Sequence, residues 1–195
     1  MLPTMLDCLS IIQRYYTPGN DDYRVLVLHS QQVAELAQKL AQRLITRQHQ
    51  PVDVEFVCEA AMLHDIGMCR TDAPGIYCYG SEPYIMHGVL GRKMLDGMGL
   101  FRHGRVCERH TGAGITAQEI ITQHLPISPA RDLLPESIEE KLVCYADKFF
   151  SKSHPGEGPK PVERIRASMA KFGADSLQRF DEMVQLFGLP DDLEE

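Results

Sequence analysis

The sequence lacks the patterns that would make its six cysteines structural. No Cys-x-x-Cys pair occurs, and the thiols at 8, 58, 69, 78, 107 and 144 fit neither a zinc ribbon nor a disulfide framework. They read as small apolar residues of a reduced, cytoplasmic protein. No stretch approaches the roughly 18 uninterrupted apolar residues of a membrane span. The opening residues have no basic start and are interrupted by Asp7 and Arg14, so no signal peptide is expected. Excess positive charge is missing too: 20 Lys and Arg stand against 27 Asp and Glu, a formal charge of -7. That balance argues against a general binder of nucleic acid or membrane surfaces, although a metal centre could still draw in an anion. Internal repeats, low-complexity runs and convincing strand alternation are also absent.

What is present is helical periodicity. A chain of 195 residues with 44% hydrophobic content can bury one core, so a single domain over 1–195 is expected. Over 25–44, His29, Val33, Leu36, Ala37, Leu40 and Leu44 share one face. Asp53 caps a second helix that carries Phe56, Val57, Ala60, Leu63 and His64 inward, and Gly67 ends it. Further helices are predicted over 82–98 (His87, Leu90, Gly91, Met94 and Leu95 aligned), 104–111 (Val106, Cys107, His110), 135–151 (Leu142, Val143, Ala146, Asp147, Phe150) and 161–187. Residues 69–81, rich in Gly, Pro and Tyr, suit a mobile lid, and 153–161 reads as a turn-rich connection.

Helix after helix thus carries a His or Asp where its apolar neighbours mark the core. One buried histidine is unremarkable, but this convergence is not. A buried unpaired carboxylate costs several kcal/mol, so Asp65 and Asp147 each need a cation or strong donors. A divalent metal supplies one, and His with carboxylate ligands suits iron, manganese, zinc or cobalt better than calcium. Neighbours on a helix diverge by about 100°, but at a helix end His64 and Asp65 can both reach one cavity. Asp65, with two oxygens, is the natural bridge between two metals.

The order His29, His64-Asp65, Asp147, with Leu-His-Asp-Ile-Gly over 63–67, resembles the HD superfamily of metal-dependent phosphohydrolases, over roughly residues 24–151. The additional His87 and His110 resemble its dinuclear branch. The segments MHGVLGRKML, ERHTGAG and LVCYADKF are similar to those of small bacterial enzymes that cleave diadenosine tetraphosphate symmetrically. The resemblance implies an all-α HD-domain helical bundle with core 24–151 and the 161–187 helix packed on it. It implies two divalent ions, iron or manganese first, with zinc, magnesium, cobalt or nickel as alternatives. One would be held by His29, His64, Asp65 and Asp147, the other by Asp65, His87 and His110. A water bridging them would attack the phosphorus of a small anionic substrate, a nucleotide first. Asp65 and Lys148 are the candidate catalytic residues. Lys148, Arg92, Arg109 and Thr111 are the candidate phosphate contacts, and Tyr77, Tyr79 and Tyr84 either stack on a base or pack in the lid. His49, His103 and His124 read as surface or structural residues, and His154 as a candidate at the edge of the site. A homodimer is compatible with this reading. Two other functions fit the same ligands: a diiron oxygenase of the same superfamily, and a non-catalytic nucleotide-binding module.

Overall fold

The computed structural model describes residues 6–190 and holds nine helices and one small three-stranded sheet among them. The mainly α architecture expected for an HD domain is what the chain adopts. The axis of the fold is α2 (Asp21–Gln48), longer than its apolar stripe predicts. Asp21 and Asp22 favour its positive N-terminal end, and it stops where His49 turns left-handed. Its buried stripe runs from Val25 to Leu44 and includes His29. The short α1 (Cys8–Ile12), capped by Asp7, precedes it.

Against α2 lie α3 (Val54–Leu63), capped by Asp53, and α7 (Ile138–Asp147), capped by Ser137. With α8 (Val162–Ala170) and α9 (Ala174–Phe187) they enclose the larger apolar core, in which Leu40, Val57, Tyr145, Phe149 and Phe180 are fully buried. The single helix expected over 161–187 is two, separated at Gly173, whose φ of 121° no helix accommodates. A second core forms where Ile12, Tyr16 and Leu26 meet Leu63, Ile66 and Met68. Tyr16 is central to it. Its buried hydroxyl donates to the Ile66 carbonyl (3.0 Å) and accepts from Cys69 N–H (2.9 Å), fixing the 3₁₀ turn Ile66–Arg70 that follows Asp65.

The expected lid over 69–81 is ordered into sheet and turn. β1 (Thr71–Ala73) pairs antiparallel with β2 (Cys78–Tyr79) and parallel with β3 (Glu82–Pro83), with Thr71 opposite Glu82 and Asp72 opposite Tyr79. Strands of two or three residues are too short to show alternation. β3 and a 3₁₀ turn take the first residues assigned to the next helix, so α4 spans His87–Asp96. α5 begins earlier than expected, at Phe101, and ends at Arg109. An additional helix, α6 (Ala117–Thr122), is held by a capping box between Thr116 and Glu119.

Gly67 does more than stop a helix. A Cβ placed there would lie 2.1 Å from the His87 carbonyl oxygen and 2.4 Å from Gly91 N. The turn after Asp65 therefore crosses α4 backbone to backbone, which brings His87 alongside Asp65.

Candidate metal centre

Five of the six predicted ligands stand at helix ends. His64 and Asp65 follow α3, His87 opens α4, His110 follows α5, and Asp147 closes α7; His29 alone is mid-helix. The helices converge, so all six side chains meet in the interior. His29, His64 and Asp65 are completely inaccessible, and His87, His110 and Asp147 nearly so.

Asp65 divides the cluster. Its Oδ2 lies 3.3 Å from His29 Nε2 and 3.1 Å from His64 Nε2. Asp147 Oδ1 completes that side, 2.9 Å from His29 Nε2 and 3.4 Å from His64 Nε2. Asp65 Oδ1 faces the other way, 3.5 Å from His87 Nε2 and 3.3 Å from His110 Nε2. The two groups, His29-His64-Asp65-Asp147 and Asp65-His87-His110, each gather their ligand atoms within 4.8 Å.

Three imidazoles are oriented the same way. His64, His87 and His110 donate Nδ1–H to the carbonyl three residues back, on Ala61 (2.6 Å), Tyr84 (2.7 Å) and Cys107 (2.7 Å). A carbonyl only accepts, so the neutral ring presents a bare Nε2 lone pair to the centre, as metal ligation requires. The Nε2 atoms of His87 and His110 stand 3.1 Å apart, which brings two lone pairs together unless a cation or proton intervenes. His64 Nε2 and Asp65 Oδ1 are buried without a hydrogen-bond partner. Orphaned acceptors of this kind cost about 1–3 kcal/mol each, so the donor set fits a bound metal.

Without metal, protons and lysines balance the charge. Burial disfavours charge on His64, but Asp65 and Asp147 outweigh it and raise its pKa to about 9. Burial pushes His87 down to about 3, with His110 adding to the push, and lowers His110 as well. Both carboxyls are buried, yet His64 and Lys152 hold Asp65, and Lys148 and Lys152 hold Asp147, well below the usual carboxylate range.

Of the proposed substrate contacts, only Lys148 reaches the centre, donating to the His110 carbonyl (3.0 Å) and to Asp147. Arg92 is engaged by Asp96 and Glu108, and Arg109 by Glu136 and Glu140. Thr111 lines a separate pocket of about 230 Å³, beside Gly112 and Arg179. Tyr84 stacks on His87 at 4.6 Å, whereas Tyr77 and Tyr79 are exposed. His49 and His124 sit at helix ends with positive φ, and His154 is exposed. His103 is buried on Glu59 (3.1 Å), not at the surface.

Sequence reasoning missed Lys152. Its ammonium lies 2.8 Å from Asp65 Oδ2 and 3.3 Å from Asp147 Oδ1, between the two carboxylates. It sits in the connection after α7, where no periodicity marks a side chain as inward. Beside it opens a cavity of about 580 Å³, lined by Asp147, Tyr84, Lys148, Lys152, Lys160 and Arg164 among others.

Comparison with known proteins agrees with the geometry. The chain is 33% identical over 150 residues to a Picrophilus torridus protein named tRNA (cytidine(56)-2'-O)-methyltransferase, covering 77% of this chain and 37% of that one. A Thermoplasma volcanium protein of the same name is 33% identical over 152 residues, covering 77% and 38%. An uncharacterized protein of Methanocaldococcus jannaschii is 38% identical over 126 residues, covering 64% and 66%. The chain thus spans between about a third and two thirds of the length of these relatives. No solved structure matches significantly. The HD domain family model matches residues 26–151, which include all six candidate ligands, and the chain belongs to that family.

Proposed function

We propose that the chain is a metal-dependent phosphohydrolase that holds two divalent cations, iron or manganese first, and acts on a small phosphoester or phosphoanhydride, a nucleotide foremost. The observation that carries this reading is Asp65, whose two oxygens face two different imidazole pairs. His29, His64, Asp65 and Asp147 would hold one cation, and Asp65, His87 and His110 the other. Bound there, the cations would supply Lewis acidity toward a phosphoryl oxygen and ionise water near neutral pH.

The chain's own residues do the rest. The i−3 carbonyls fix three imidazoles with Nε2 inward, so the site is organised before a substrate arrives. Lys148, anchored on the His110 carbonyl, keeps its ammonium beside Asp147 at the cavity wall, where it can meet a phosphoryl oxygen. Once cations neutralise the carboxylates, the ammonium of Lys152 is free to turn to the substrate. The methyl transfer in the names of two relatives belongs to proteins of which this chain covers 37–38%, and it is not carried over to this chain.

The test is phosphate release from nucleotides and simple phosphoesters by manganese- or iron-loaded protein. We expect metal-dependent release that is abolished in Asp65→Ala. Oxygen uptake with no phosphate released from any ester would instead favour the oxygenase, and tight nucleotide binding without product the non-catalytic module.

A further inference from the structure

The cavity on Asp147 carries cations on two of its walls. One is the end of α7 and the residues beyond it, bearing Lys148 and Lys152; the other is α8 and its approach, bearing Lys160 and Arg164. Four cations therefore face one carboxylate in a chain of formal charge -7. Gathering like charges at one opening costs repulsion unless an anion joins them.

Two of the four are already engaged, Lys148 on Asp147 and Lys152 on both carboxylates. Lys160 and Arg164 have no carboxylate partner among the described residues. Arg166, on the same helix outside the cavity lining, is paired with Asp181 at 2.7 Å. The contrast follows position: on α8 the arginine outside the cavity is neutralised, and the one lining it is not. Burial, with repulsion from Lys148, Lys152 and Arg164, pushes the Lys160 ammonium down to about 8, against the pull of Asp147. Its surroundings are short of negative charge. The cavity's 580 Å³ also lies within the range of about 300–1,000 Å³ that takes whole ligands, and a single phosphate would leave most of it empty.

We propose that Lys160 and Arg164 form a second anion subsite that holds a phosphoryl group other than the one at the metal centre, so that the ligand carries at least two phosphoryl groups. The assignment of one group to the metal centre rests on the phosphohydrolase reading; the subsite itself rests on the cavity.

Calorimetric titration of manganese-loaded protein with orthophosphate and with pyrophosphate tests it. Pyrophosphate should bind more tightly than orthophosphate. In the double variant Lys160→Met/Arg164→Met its Kd should rise about tenfold or more, as expected for losing charge-assisted contacts, while orthophosphate binding and metal content change little. Arg166→Met, which removes a charge from the same helix outside the cavity, should leave pyrophosphate binding intact. Equal affinity for the two anions in the unaltered protein would overturn the subsite. So would equal weakening of both in the double variant, or no effect on either. Absence of phosphate release from every ester, with pyrophosphate binding still dependent on Lys160 and Arg164, would sink the hydrolase reading and leave the subsite standing. Comparing ATP with tripolyphosphate then separates a nucleotide from a bare phosphate chain.

Discussion

At Asp65 a single side chain faces both groups of the candidate centre, and this predicts an asymmetry among variants of the candidate ligands. Asp65→Ala should empty both groups, whereas His87→Ala should deplete mainly the His87-His110 side. Elemental analysis of gently purified protein should find about two metals per chain in the unaltered protein and about one in His87→Ala, as a two-metal centre requires. Equal loss in both variants would contradict the division of Asp65 between two groups. Lys152 makes a second prediction. Its ammonium lies where a cation held by His29, His64, Asp65 and Asp147 would compete with it. Lys152→Met should therefore bind Mn²⁺ more tightly in calorimetric titration. In chelator the same variant should melt lower, since Asp65 and Asp147 lose a partner worth about 1–3 kcal/mol; at about 2–4 °C per kcal/mol that is readily measured. Tighter metal and a weaker metal-free fold together identify a stand-in cation, and unchanged metal affinity would reject it.

Elements rather than single residues bring the ligands together, and Gly67 is where this is most exposed to test. In Gly67→Ala the new methyl would meet the His87 carbonyl and Gly91 backbone, neither of which can swing aside. The turn and α4 must separate, at a cost of about 1–3 kcal/mol or more, and His87 moves away from Asp65. Thermal melting should show the loss, and metal should disappear first from the His87-His110 side; a variant with native melting and full metal would show that the crossing has slack. This scale also marks what the sequence made legible. The stripe of α2 and the cap at Asp53 follow from local chemistry, and so does the inward aspect of His29, His64, His87, His110 and Asp147, because apolar neighbours at helical spacing reveal a face. The capping-box pattern Thr116-x-x-Glu119 is equally readable and marks a helix that the periodicity alone does not. The β1-β2-β3 sheet was not readable, because its strands pair through tertiary contact and are too short to carry a period. Lys152 stayed hidden for a related reason: an irregular segment has no face, so only the fold shows which way its side chains turn. Arg92 and Arg109 look available in the sequence, but Glu108, Glu136 and Glu140 reach them from other elements, beside the Asp96 that Arg92 meets on its own helix.

For the molecule as a whole, the acidic surface, the buried centre and the cationic cavity divide the charge by location, and acid stability is where that division can be read outside the site. None of the described helices is long and apolar enough to cross a membrane, and polar groups buried between them carry pH dependence into folding. His103 is such a group. It joins α5 to α3 through Glu59, whose carboxylate also accepts from Leu6 N–H at 2.7 Å, so one contact ties three segments together. Burial lowers the pKa of His103 below its usual 6.5; Arg102 adds to the shift, and Glu59 and Asp53 oppose it. The unfolded chain therefore takes up a proton near pH 6.5 that the folded chain resists. The stability contributed by His103 is fully present above 6.5 and is lost as the pH falls through the lower, folded pKa. His103→Gln keeps a donor for Glu59 but cannot titrate. Its melting temperature should therefore fall less than that of the unaltered protein as the pH is lowered from 7 towards 5. The metal ligands titrate alike in both proteins, so in chelator their contribution cancels in the difference. Parallel profiles would mean that His103 is protonated as easily folded as unfolded, and that the Glu59 junction does not govern the acid limb.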